Sequence, residues 1–114
     1  MKKESKKISR IIDELSTHYL ERNPSKLNVS VDNLDDLFKI SFEVYNVEYS
    51  DEEIESMLEI LNEPRLPAVE TYYWTLTSES NDNSELSLIG TMIDKAEMYF
   101  KDSCLYVNLY RNKL

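Results

Sequence analysis

The sequence predicts an α+β fold, a two-layer α/β sandwich with helices on one face of a four-stranded mixed sheet. Three observations carry this expectation. Residues 84–110 read as a buried helix running into a hairpin. Leu86, Ile89, Met92, Ile93 and Ala96 recur at helical spacing, and Leu88 adds an apolar residue off that stripe. Ala96, Met98 and Phe100 then alternate with Glu97 and Tyr99, Lys101-Asp102-Ser103 turns the chain, and Leu105, Val107 and Leu109 alternate with Tyr106, Asn108 and Tyr110. A second pair of period-two runs lies earlier in the chain, and two apolar stripes at spacings of three and four bracket it.

In order, Ile8, Ile11, Ile12, Leu15 and Tyr19 mark an amphipathic helix over residues 5–22, which Asn23-Pro24 stops. Leu27, Val29 and Val31 alternate with Lys26, Asn28, Ser30 and Asp32. Phe38, Ile40, Phe42 and Val44 do the same with Lys39, Ser41 and Glu43, across a polar turn at residues 33–36. Ser50-Asp51-Glu52-Glu53 has the capping-box form, and Ile54, Met57, Leu58 and Leu61 supply the stripe of a second helix ending near Asn62, before Pro64. Between Pro64 and Ser84 the pattern fits two readings. Val69, Tyr72, Tyr73 and Leu76 suit a short helix opened by Pro67, whereas Val69, Thr71, Tyr73 and Thr75 suit a strand; the helix is the expectation. Residues 78–84, SESNDNS, read as a polar loop whose last serine caps the core helix.

Composition narrows the function classes. The chain has 114 residues, 41% of them hydrophobic, which suits one domain spanning 1–114. Its single cysteine, Cys104, cannot form an internal disulfide, and neither a signal-peptide pattern nor an apolar run of about 18 residues occurs, so a cytoplasmic protein without a membrane span is expected. The formal charge is −9, and residues 32–63 hold eleven acids against Lys39 alone, which would repel a phosphate backbone. The basic start, from Lys2 to Arg10, reads as a solvated helix face.

The order of elements, with an acidic helix start after the second strand and a variable segment before the buried helix, resembles the ATP-binding domain of the GHKL superfamily, the histidine kinase-like ATPases that include gyrase and anti-sigma-factor kinases. Glu14-Leu15-x-x-His18 stands where such domains carry a Glu-x-x-x-Asn box. Residues 40–54 stand where they carry strand, D-x-G-x-G and helix, and residues 84–89 where they carry a G-x-G-L-type turn. The resemblance implies the mixed-sheet sandwich already described, with residues 64–84 as a lid. It also makes the departures informative. His18 takes the place of the magnesium-holding asparagine, and only Glu14 matches. Val44 takes the place of the adenine-reading aspartate, with Asn46 and Glu48 where glycines belong. Glu85 and Ser87 occupy the third glycine region, while the one glycine, Gly90, falls inside the helix. Glu14, His18, Val44, Asn46, Glu48, Glu85 and Ser87 would therefore line a vestigial pocket, and Tyr72, Tyr73 and Trp74 would form its lid or a partner surface.

No cofactor or catalytic residue follows from this, and one histidine without a cysteine pair offers no zinc set. Cys104 reads as a small buried hydrophobe, and Glu52, Glu53, Glu55 and Glu59 as a solvated face. The leading expectation is a non-catalytic histidine kinase-like domain that binds another protein in a bacterial regulatory circuit, without nucleic acid or membrane, and with a homodimer left open. Two alternatives stand beside it. One is a divergent ATPase or kinase using Glu14 as base, and the other an acidic inhibitor or antitoxin presenting residues 32–63 to a basic partner.

Overall fold

A computed structural model of the chain describes residues 2–62, 86 and 89–113. The expected short helix after Pro67, the loop at 78–84 and its Ser84 cap lie outside these residues. Helix α1 (Lys2–Leu20) starts earlier than its stripe requires and buries that stripe: Ile8, Ile11, Leu15 and Tyr19 are all enclosed. It ends at Leu20, two residues short of the expected limit, and Asn23 beyond it takes a φ of 56°, the left-handed conformation that asparagine tolerates after a helix. Strands β1 (Lys26–Asn33) and β2 (Leu37–Tyr45) form the first hairpin. Helix α2 (Asp51–Leu61) carries the predicted capping box: the Glu53 amide donates to Ser50 Oγ at 3.0 Å, and the Ser50 amide donates to Glu53 Oε1 at 2.9 Å. Strands β3 (Lys95–Lys101) and β4 (Cys104–Asn112) form the second hairpin. Asp102 and Ser103 at its turn both have positive φ, 53° and 62°, which matches the twist of a two-residue hairpin.

The four strands lie in the order β1-β2-β4-β3, and every neighbouring pair is antiparallel. This corrects the expected mixed sheet. Each hairpin is antiparallel by its tight turn, so only the seam between hairpins was free to be parallel. Strands β2 and β3 run the same way, and placing them side by side would have made the sheet mixed. Instead β4 takes the seam, because Leu105, Val107 and Leu109 are all fully enclosed there while Met98 and Phe100 of β3 are only partly covered. The more apolar strand occupies the interior, and the less apolar one goes to the edge.

Alternation then sorts the side chains into two faces. One face carries the rows Val31–Ile40–Leu109–Ala96, Val29–Phe42–Val107–Met98 and Leu27–Val44–Leu105–Phe100. Its central members form one core with Tyr19 of α1, Met57 and Leu61 of α2, and Leu86, Ile89, Met92 and Ile93. The expected core helix is described at three positions. Leu86, Ile89 and Gly90 are helical, Thr91 and Met92 form a turn closed by a 2.9 Å bond from the Met92 amide to the Ile89 carbonyl, and Ala96 belongs to β3. Gly90 is needed for packing: a Cβ there would stand 2.5 Å from the carbonyl oxygen of Ile60 in α2.

Polar groups close this layer. The Asn62 side chain pairs with the backbone of Ala96, accepting from its N–H at 2.8 Å and donating to its carbonyl at 3.1 Å, which ties the end of α2 to the edge strand β3. Arg111 continues the inward phase of β4 and is 1% exposed. Its guanidinium meets Glu4 of α1 through Nε and, at 3.1 Å, through Nη2, and Nη1 donates to the Met92 carbonyl. A buried charge survives only when paired in this way.

Candidate functional site

Two surfaces could act on something else. The first is a cleft of about 340 Å³ between the end of α1 and the start of α2, lined by His18, Arg22, Ser50, Glu52, Glu53, Ser56, Met57 and Leu86. The stop of α1 and the capping box of α2 bring Arg22 and Glu53 together, and Arg22 Nη2 donates to Glu53 Oε2 at 2.6 Å. Arg22 Nη1 also donates to the Glu48 carbonyl at 2.8 Å, and the guanidinium lies 4.1 Å from the centre of the Tyr49 ring. The bond from the Ser50 amide, then the Arg22 guanidinium, hold the Glu53 carboxyl below the usual carboxylate range. Behind the cleft, burial pushes the phenols of Tyr19 and Tyr49 upward, so both stay neutral. Arg22 is a structural clamp here, and its charge is already engaged.

Five of the seven residues expected to line a vestigial pocket are described, and they occupy different places in the fold. His18 is partly buried, lines it, and stands edge-on to Tyr19 at 5.3 Å. Glu14 is buried along α1 and accepts from Arg10 Nε at 3.0 Å. Val44 is fully enclosed in the sheet core between Leu27 and Leu105. Asn46 takes a positive φ of 60° to end β2, and its side chain donates to Ser25 Oγ at 2.9 Å. The Glu48 side chain faces solvent. Glu85, Ser87, Tyr72, Tyr73 and Trp74 lie outside the described residues. Among the described members of the vestigial set, His18 is the one that lines the cleft. Among the described residues no three of His, Cys, Asp and Glu are grouped to hold a metal.

The second surface is the other face of the sheet, on which no described helix packs. Strand alternation places four tyrosines there: Tyr45 on β2, Tyr99 on β3, and Tyr106 and Tyr110 on β4. Tyr99, 55% exposed, stacks on Tyr106 with ring centres 4.6 Å apart and planes 17° from parallel. The Tyr45 hydroxyl donates to Glu43 at 2.9 Å and Asn28 donates to the same oxygen at 3.1 Å; the bond from Asn28, then that from Tyr45, lower the Glu43 carboxyl. The Tyr110 hydroxyl donates to Glu97 at 2.9 Å beside the 3.2 Å Lys95–Glu97 pair, which lowers Glu97 in the same order. Ser41 donates to Asn108 at 2.9 Å between them. Lys26 stands 5.6 Å from the Tyr45 ring and Lys39 stands 6.0 Å from that of Tyr110. Cys104 is buried at this face beside the hairpin turn.

The tyrosine face went unread in the sequence, although its signal was visible. Tyr106, Asn108 and Tyr110 were seen only as the polar phase opposite Leu105, Val107 and Leu109. That phase on three neighbouring strands holds half of the chain's eight tyrosines. Their convergence depends on strand order, which alternation does not encode. The chain matches no family model, no curated protein and no solved structure.

Proposed function

We propose that this chain is a non-catalytic protein-interaction module whose binding surface is the open face of the sheet. The observation that supports the reading is the set Tyr45, Tyr99, Tyr106 and Tyr110, held at fixed strand spacing among serine, asparagine and lysine. Tyrosine offers large contact area with few torsions to freeze, and serine and asparagine add adaptable hydrogen bonds. The charges favour a particular occupant. Glu43 and Glu97 already accept bonds from their own face, while the ammonium groups of Lys26 and Lys39 stand over aromatic rings. The face therefore fits a polypeptide that brings flat apolar groups and a few carboxylates. A polynucleotide would have to approach against a net charge of −9.

A regulatory role like that of histidine kinase-like domains is part of the proposal, and the element order supports it. The bond between Glu14 and Arg10 and the enclosure of Val44 support a loss of nucleotide chemistry. The acidic residues of 32–63 do not form one strip. Asp32 and Glu43 lie on the open face, and Glu52, Glu55 and Glu59 on α2, which weakens the charge-mimic alternative.

The test compares the wild-type chain with a Tyr99→Ser/Tyr106→Ser variant whose fold is verified by circular dichroism. Both are used to select protein partners from the source cells, and the binding constant of any selected partner is measured by calorimetry. The expected result is a partner whose affinity for the variant falls by roughly tenfold or more. Equal affinity for both chains overturns the reading. Selective loss of a single-stranded oligonucleotide instead of a protein would replace it with nucleic-acid binding.

A further inference from the structure

The two edges of the sheet are built differently. On β3 the outward N–H and C=O of Ala96 are taken by the Asn62 side chain. On β1 the hairpin closes with the Leu34 amide donating to the Leu37 carbonyl, so the even-numbered residues of β1 bond to β2. The backbone groups of Leu27, Val29 and Val31 therefore point outward. Among the described residues nothing bonds to them. The same strand carries exposed apolar side chains, Val29 at 37% and Val31 at 41%, and Leu34, one residue past its end, is also exposed. An eight-residue straight edge with this composition is a template for another strand.

We infer that the occupant is the β1 strand of a second copy, paired antiparallel about a two-fold axis through Val29. In that register Val29 faces Val29 of the second copy, Leu27 faces Val31, Asn28 faces Ser30, and Lys26 faces Asp32. Apolar residues meet apolar on the helix side, and opposite charges meet at both ends of the open side. The odd-numbered residues, whose backbone groups point outward, are the ones this register bonds, giving about six hydrogen bonds across the seam. Sliding the axis by one residue in either direction removes the Lys26–Asp32 match. A lone edge lysine normally discourages strand addition, but here it meets a partner carboxylate. The resulting eight-stranded sheet joins the two tyrosine faces on one side, so a partner would meet a continuous surface. The pairing shares Lys26 with the tyrosine face, but its backbone bonds and apolar contacts lie on β1 and do not rest on the proposed function.

Sedimentation equilibrium over a concentration series tests the mass, and amide hydrogen exchange tests the register. Wild type should approach twice its 13.5 kDa mass at high concentration. Protection of the Leu27, Val29 and Val31 amides should rise with concentration, while that of Asn28 and Ser30, already bonded to β2, should not. Lys26→Asp should weaken the dimer by roughly tenfold by setting like charges across the seam, and Lys26→Asp/Asp32→Lys should restore it. Val29→Pro, which deletes the central outward N–H, should give a folded monomer. If Val29→Pro fails to fold, the charge-swap pair decides alone. A wild type that stays monomeric at its solubility limit overturns the inference. So does a dimer indifferent to Lys26→Asp, or a double swap that fails to restore association.

Discussion

Gly90 shows how one residue can be misplaced in function and still be indispensable. The sequence places it inside a helix, outside the glycine turn of the family it resembles, and its missing side chain serves the approach of the Ile60 carbonyl. Helix propensity alone would make Gly90→Ala favourable by about 1 kcal/mol. The opposing clash involves backbone, which moves only if α2 or the backbone around Gly90 shifts, and overpacking of that kind costs roughly 1 to 3 kcal/mol. The expected outcome is net destabilisation, read as a lower denaturant midpoint with an unchanged slope. A stabilised Gly90→Ala would mean that the two segments are not pressed together. Arg111 makes the complementary point. It stands in phase with Leu105, Val107 and Leu109, where a hydrophobe would be expected, and Glu4 from the far end of the chain makes the position tenable.

Helix α2 is the element whose start was most legible, because the capping box is a local device: Ser50 and Glu53 need only each other. Tertiary structure adds Arg22, brought from the end of α1, and so makes the helix start sensitive to pH. The Glu53 carboxyl titrates below its ordinary value of 4.5. The folded state therefore holds its proton less tightly than the unfolded state does. The stability this contributes is fully present above the unfolded pKa and is lost as pH falls through the folded one. Glu53→Gln keeps the capping acceptor but removes the charge facing Arg22. Denaturant midpoints for wild type and Glu53→Gln should differ near neutral pH and converge below about pH 4. Glu43 and Glu97 are lowered in the same sense, so the variant should flatten the acid limb without abolishing it. A gap that stays constant down to pH 3 would show that the carboxylate charge does not hold the helix start.

At the scale of the whole molecule, the helix layer closes the core, and the proposed function assigns recognition to the open sheet face. This division predicts the response to nucleotide. A ligand held at a hundredfold excess over its dissociation constant stabilises a protein by about 2.7 kcal/mol, which raises the melting temperature by several degrees in a domain of this size. Millimolar Mg-ATP or Mg-ADP should leave the thermal midpoint unmoved. Val44, which the resemblance sets against an adenine-reading aspartate, is a fully enclosed core side chain, and Glu14 is bonded to Arg10. A reproducible rise, with calorimetry giving one site per chain, would refute the non-catalytic reading and favour the ATPase alternative.

What the sequence determined by itself was local. Period-two alternation located both hairpins, three-and-four spacing located α1 and α2, Asn23-Pro24 and Ser50–Glu53 marked helix limits, and Leu86, Ile89, Met92 and Ile93 were rightly assigned to the core. Each of these signals acts between residues a few positions apart. What only the tertiary structure decided was non-local. Alternation is blind to which strand lies beside which, so the choice of β4 over β3 at the seam, and with it an antiparallel rather than a mixed sheet, followed from competition for the most enclosed position. The four tyrosines converge because of that choice. Among the described residues, Val44 lies in the core, Glu14 on a helix flank and His18 at the cleft, because their positions in space are set by burial and pairing across the fold.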